Sequence, residues 1–276
     1  MRTALLAFLV RPAGLRRLSA LPATAALLAA AAAAAQEPPR DPHAVQPERP
    51  TVATHAYTVA PGWAEIEAGV ELDQYPDRSR GATAPIVVKI GLAHGVQLEL
   101  DGAVWQPPQG GTTGIGDLAI GLKCRVLDKV PVLGDLSVQP SLKLPTAPTA
   151  SGLGTGTTDV GLLLISSHQL GPISMDLNLG YTRRSGPGTR APRNASLWTA
   201  SFGGPATGAL GWTAELYGYP GMAGPAGQAP IVALLAGPTL LVRSWLALDA
   251  GVIVPVTGPQ PRALYAGGVV NVGRVW

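Results

Sequence analysis

From residue 63 onward, apolar and polar residues alternate one by one along most of the chain. Residues 64–73 read Ala-Glu-Ile-Glu-Ala-Gly-Val-Glu-Leu-Asp, which puts acids on one face of a strand and aliphatics on the other. A helix would scatter the same residues around its circumference. The alternation returns in Val96–Asp101, Asp117–Val126, Asp135–Leu144 and Ser174–Leu179. With Gly, Pro and Asn as punctuation, it predicts twelve strands, near 63–75, 84–92, 96–105, 115–127, 134–145, 158–168, 173–184, 195–203, 209–218, 230–242, 245–256 and 263–276.

The predicted connections alternate in length. Ala93-His94-Gly95 is tight and 106–114 is long; 128–133 is short and 146–157 is long. From residue 63 onward no apolar run reaches the length of a membrane-spanning helix before Gly, Pro or a charge interrupts it. Short turns on one side and longer Gly/Pro-rich loops on the other fit one architecture. The fold class expected is all-β, a transmembrane antiparallel up-and-down barrel of about twelve strands in a Gram-negative outer membrane, with short periplasmic turns and longer extracellular loops. Closure satisfies every backbone group, and lipid solvates the outer face. Trp63, Tyr75, Trp105, Tyr181, Trp212 and Trp245 fall near strand ends, as interfacial girdles or as interior residues.

Two segments precede this pattern. Residues 1–35 carry Arg2, Arg11, Arg16 and Arg17, then an apolar run ending in small residues, and read as a secretory signal cleaved before Gln36. A membrane anchor fits less well, because the run from Ala23 is nearly all alanine. Residues 36–60 are rich in Pro and charge and cannot build a core of their own. They read as a periplasmic lead-in, a spacer more than a binding motif, with a plug of the barrel as the alternative; residues 61–276 form the barrel.

Composition removes other classes. Charged residues are 13% of the chain against about 25% in typical soluble domains. The formal charge of +3 forms no continuous basic face, so nucleic acid is not an expected partner. One cysteine, Cys124, and four scattered histidines offer neither a disulfide nor metal-ligand spacing, so no cofactor and no metal site are expected. Cys124 reads as an outward-facing small residue, and His55, His94 and His168 as solvated residues of the lead-in and turns.

The expected partners are outer-membrane lipid, a small-molecule solute and the barrel-assembly machinery. The last would read the final strand, 264–276, which ends on Trp276 with Val270 and Val272 on one face, although Arg274 stands where an apolar residue is usual.

If the polar positions face inward, Glu65, Glu67, Glu71, Asp73, Gln97, Glu99 and Asp101 line one wall of the lumen. Lys123, Arg125 and Lys143 line the next, and Asp176, Asn178 and Glu215 lie further round. Acid then faces base across the interior. Such a lumen suits either a passive channel for small solutes or a closed structural barrel, since eight-stranded barrels fill themselves and open channels appear at about sixteen strands. A remote third reading, a lipid hydrolase or acyltransferase, rests on His168 beside Ser166 and Ser167. Ser167 and His168 point to opposite faces, so only Ser166 could pair with the histidine.

Four patches over most of residues 49–165 resemble an outer-membrane family typified by a protein of the phenol meta-cleavage pathway, whose members are labelled transporters. They are Arg49-Pro50 leading to Val59-Ala60-Pro61-Gly62-Trp63; 89–98 (Lys-Ile-Gly-Leu-Ala-His-Gly-Val-Gln-Leu); 114–123 (Gly-Ile-Gly-Asp-Leu-Ala-Ile-Gly-Leu-Lys); and Leu144-Pro145-Thr146 with Gly154-Thr155-Gly156. The resemblance implies a barrel and passage of small, aromatic or apolar solutes. Beyond about residue 190 the chain matches only in rhythm.

Overall fold

A computed structural model describes residues 41–106, 112–188, 191–222, 227 and 229–276. The secretory signal expected over 1–35, and residues 36–40 of the lead-in, lie outside these.

Twelve long strands form one antiparallel sheet that closes on itself: β1 (Trp63–Gln74), β2 (Arg80–Ala93), β3 (Val96–Gln106), β5 (Leu118–Val130), β6 (Gly134–Leu144), β7 (Asp159–Leu170), β8 (Ile173–Arg184), β9 (Asn194–Thr207), β10 (Leu210–Tyr219), β11 (Ile231–Arg243), β12 (Leu246–Thr257) and β13 (Arg262–Arg274). A two-residue strand, β4 (Gly114–Ile115), adds to the upper end of β3. Each long strand pairs with its neighbours in sequence, and β1 pairs with β13, so the sheet has no free edge.

The inward positions carry odd numbers in every long strand except β8, where they are even. Glu65, Gln97, Lys123, Ser167, Asn178, Glu215, Asp249 and Asn271 are buried, whereas Leu72, Leu122, Leu164, Leu179, Leu216, Val252 and Leu264 are exposed. The largest apolar side chains therefore face outward and polar ones inward, the inverse of a soluble protein. Strands of 10 to 14 residues are long enough to cross a hydrocarbon core at a tilt.

At one end, turns of two or three residues join the strands. Gly95 (φ 71) and Gly208 (φ 55) supply the left-handed backbone that two-residue turns need. The opposite end carries the longer loops, including 145–158 with a short 3-10 helix, Thr149–Ser151.

The expected boundaries shift in three places. β2 begins four residues earlier than the alternation does, because Arg80 and Gly81 pair with Gln74 and Asp73 without an apolar signal. β9 continues to Thr207 through Gly203, Gly204 and Pro205, residues that read as a turn. The strand expected over 115–127 is broken at Gly116–Asp117, where the Asp117 side chain is engaged by the neighbouring loop.

The interior is divided. Tyr217, Ala233, Leu235, Ile253, Ala263 and Tyr265 make an apolar patch on the β10–β13 wall. The remaining wall is polar, and residues 41–61 run through it.

Candidate functional site: the occupied lumen

Residues 41–61 form neither helix nor strand, so their backbone groups have no ladder of their own. The barrel wall supplies the partners. Glu65 accepts the N–H of Gln46 (2.7 Å); Glu67 accepts those of Glu48 (2.9 Å) and Arg49 (3.1 Å). Glu215 takes Val52 and Ala53, both at 2.7 Å, one on each carboxylate oxygen. Asn178 accepts from Thr54 and donates back to its carbonyl, at 2.7 and 2.9 Å. Ser167 accepts the Ala56 N–H, Ser137 donates to the Ala56 carbonyl, and Gln97 accepts the Val59 N–H.

Charge is neutralised in the same way. Lys89 lies between Glu65 and Glu67 at 2.5 Å from each and donates to the Gln46 carbonyl; all three side chains are buried. Lys123 binds Glu48 of the inserted segment and lies 3.5 Å from Glu99. Arg49 binds Asp249 at 3.1 Å, and Arg125 binds Asp128 and Asp135 (3.2 Å) with Tyr57 under its guanidinium. The acid wall facing a basic wall, expected from sequence, is replaced by local pairs, because separated charges in a poorly solvated interior are costly.

The segment enters and leaves by the same end. His43 packs at a tilt against Trp63 and stacks with Trp245, with ring centroids 5.2 and 6.1 Å away, and the Val45 N–H donates to the Ser244 carbonyl. Trp63 and Trp245, two of the expected girdle residues, thus hold the incoming chain. The return arm passes over Gly91, where a Cβ would lie 2.1 Å from the Ala60 carbonyl oxygen. The lead-in read as a spacer is, over 41–60, a bound part of the barrel: a segment too polar to make a core borrows its hydrogen bonds from the wall. His55 is likewise inside the barrel, not in a solvated lead-in. Burial holds its imidazole below the ordinary histidine range against the pull of Asp176, and its Nδ1 accepts the Tyr57 N–H at 3.2 Å.

The other expected residues divide by height. Glu99 is bonded by Gln97 and Gln139, and Asp176 accepts from Ser167. Above the inserted segment, Glu71 and Asp101 line a cavity of about 780 Å³ that opens at the loop end, with Arg184, Tyr217 and Tyr219; Val52 of the segment is part of its lining. Asp73 is buried beside it. Lys143 sits at the loop rim between Asp117 (2.8 Å) and Asp159 (3.4 Å). Sequence reasoning missed Lys89, Ser137, Ser167, Asp249 and Asn271 as lumen residues. All five share the odd-number parity of their strands, which was the available signal.

Asp117 anchors loop 145–158 by accepting from Lys143 and from the N–H groups of Ala147 and Thr155. Burial alone would raise its pKa, but these donors outweigh it and hold the carboxyl below the usual range. A depressed carboxyl contributes its grip above the ordinary aspartate pKa and loses it as pH falls through its own lower value. Protection of the 145–158 amides, as exchange corrected for the intrinsic rate at each pH, is therefore expected to fall at acid pH in the wild type and already at neutral pH in Asp117→Asn. Equal exchange in the two proteins at neutral pH would remove Asp117 as the anchor.

Ser166 and His168 meet on the outer face, Oγ to Nε2 at 2.8 Å. The Ser166 hydroxyl donates to the Leu133 carbonyl at 2.6 Å, so its proton points away from the histidine, and among the described residues no carboxylate is hydrogen-bonded to His168. The pair lacks the polarity of a nucleophile and its base.

No protein-family model matches the sequence, and no curated protein matches it. Solved structures do. The COG4313 outer-membrane channel from Pseudomonas putida F1 superposes with a TM-score of 0.61 at 12% identity, over 86% of this chain and all of that one. The NanC porin gives 0.51 at 9% identity and the KdgM porin, solved with a disordered oligogalacturonate, 0.50 at 11%; each match spans 75% of this chain and 98% of the porin. The fold is that of outer-membrane channel barrels.

Proposed function

We propose that this chain is an outer-membrane channel for small solutes, aromatic and apolar ones included, held closed by its own residues 41–61. The observation that carries the reading is the inserted segment itself. It is bound by hydrogen bonds and ion pairs that water can replace, and both its arms leave at the same rim, so it can withdraw without threading the barrel. The loop-end cavity, where Tyr217, Tyr219, Leu163 and Leu197 meet Glu71 and Arg184, suits a small amphiphilic or aromatic solute waiting above it. In this orientation the turns and the segment's entry are periplasmic and the long loops extracellular. Residues 1–35 serve export, and the strand ending in Trp276 serves the assembly machinery. The resemblance to the phenol-pathway family points to the same solute class.

The closed structural barrel is the second reading, favoured by the number of wall groups spent on the segment. Flux separates the two. In liposomes, Gly91→Ala is expected to increase passage of small neutral and aromatic solutes severalfold, because the new methyl meets backbone at Val59 and Ala60 and displaces the return arm without touching a charge. Folded, heat-modifiable protein that passes nothing in either form would favour the structural barrel. An enzymatic role has no support in the Ser166–His168 geometry.

A further inference from the structure

The outer face carries one arrangement that neither closure nor passage uses. Gln74, the last residue of β1, is paired with Arg80 on one side and Arg262 on the other, so the three stand in a row on the outward face at the loop end. Neighbouring strands are about 4.8 Å apart, which puts the two arginine backbones about 10 Å apart and both guanidinium groups within reach of one anion. Both are exposed, and among the described residues neither makes an ion pair or a side-chain hydrogen bond. Asp77, in the adjoining turn, accepts from Ser79.

Immediately below the row, Leu72, Val252, Val254 and Leu264 border a groove of about 670 Å³, deepened where β2 offers only Ala82. All four of the larger side chains are exposed. A pair of cations at the head of an apolar groove running down a membrane-facing wall is complementary to an amphiphile with an anionic head. The planar guanidinium forks match phosphate in particular.

The geometry points to a site for a phosphate-bearing lipid of the outer leaflet: the phosphate between Arg80 and Arg262, an acyl chain in the groove over β1, β12 and β13. A Gram-negative outer leaflet offers such a molecule in phosphorylated, multiply acylated glucosamine glycolipid. The inference rests on the barrel lying in that membrane and is independent of whether it conducts.

The test is fluorescence anisotropy of labelled bis-phosphorylated lipid A with the purified, full-length protein in non-ionic detergent. Folding is monitored by heat-modifiable mobility, so loss of binding is distinguished from loss of the barrel, and no flux measurement enters. Arg80→Gln with Arg262→Gln is expected to weaken binding about tenfold or more. Dephosphorylated lipid A should bind wild type as weakly as the phosphorylated lipid binds that double variant, and inorganic phosphate should not compete. Ala82→Trp, which fills the groove and keeps both arginines, should also weaken binding and carries the test if the double variant does not fold. Unchanged affinity in the double variant or in Ala82→Trp, an equal loss in Arg243→Gln at the opposite rim, or displacement by inorganic phosphate would overturn the site.

Discussion

Deleting residues 41–58 is expected to raise single-channel conductance by about tenfold or more, because twelve strands enclose more space than inward side chains alone fill. In the intact chain that space is taken by the segment and by wall side chains drawn toward it: Glu215 reaches for Val52 and Ala53, Asn178 for Thr54, Gln97 for Val59. Removing the segment frees these groups to be hydrated and leaves the backbone closure of the barrel untouched, since no strand pairing involves residues before Trp63. The measurement is planar-bilayer recording of both proteins, with a synthetic peptide of residues 41–58 added afterwards to each side in turn. The peptide should close the deleted channel from the turn side only, where His43 meets Trp63 and Trp245. A deleted barrel that folds but conducts no more than the intact one would mean that the wall collapses inward and that the segment is not what closes the lumen.

Lys89→Met is expected to cost about 3–5 kcal/mol of stability, the penalty typical of removing one partner from a buried ion pair. Lys89 is the cation for both Glu65 and Glu67, with all three side chains shielded from water. Without it, two buried carboxylates lie on one face of β1 with no counter-charge, while still committed to the N–H groups of Gln46, Glu48 and Arg49. Urea unfolding in detergent micelles followed by tryptophan fluorescence gives the number. Adding Glu65→Gln and Glu67→Gln should recover part of the loss, because no charge is stranded and the amide at 65 still accepts from Gln46, while the amide at 67 can accept only one of the two N–H groups, of Glu48 and Arg49, that Glu67 takes. If the triple variant is no more stable than Lys89→Met, the lysine contributes packing and not charge balance.

Period-two alternation was enough to read the barrel, since one face meets lipid and the other a polar interior along nearly every strand. It failed where the side chain carried no contrast. Gly203, Gly204 and Pro205 continue β9 because their backbones pair with β10, and nothing in their side chains says so. Lys89 sits in an aliphatic run and was passed over, although it shares the inward parity of Glu65, its partner across β1 and β2. The inserted segment was legible only as polar, proline-rich chain. Its order comes from residues up to more than two hundred positions away, such as Asp249 for Arg49 and Asn271 for His43, and no local signal reports contacts of that range. The acids and amides on the inner wall were visible. That they serve as backbone acceptors, and not as a charged path, depended on knowing what lay beside them.

The spread of those contacts bears on how the molecule comes to be folded. The segment's partners lie on β1, β2, β3, β5, β6, β7, β8, β10, β12 and β13, so no partial sheet presents more than a fraction of them. Hairpins can form in sequence at low loop-closure cost, and β1 meets β13 only once the whole chain is paired. Docking of residues 41–61 therefore follows barrel closure. In a refolding experiment its amides gain protection last, making them a reporter of the completed ring.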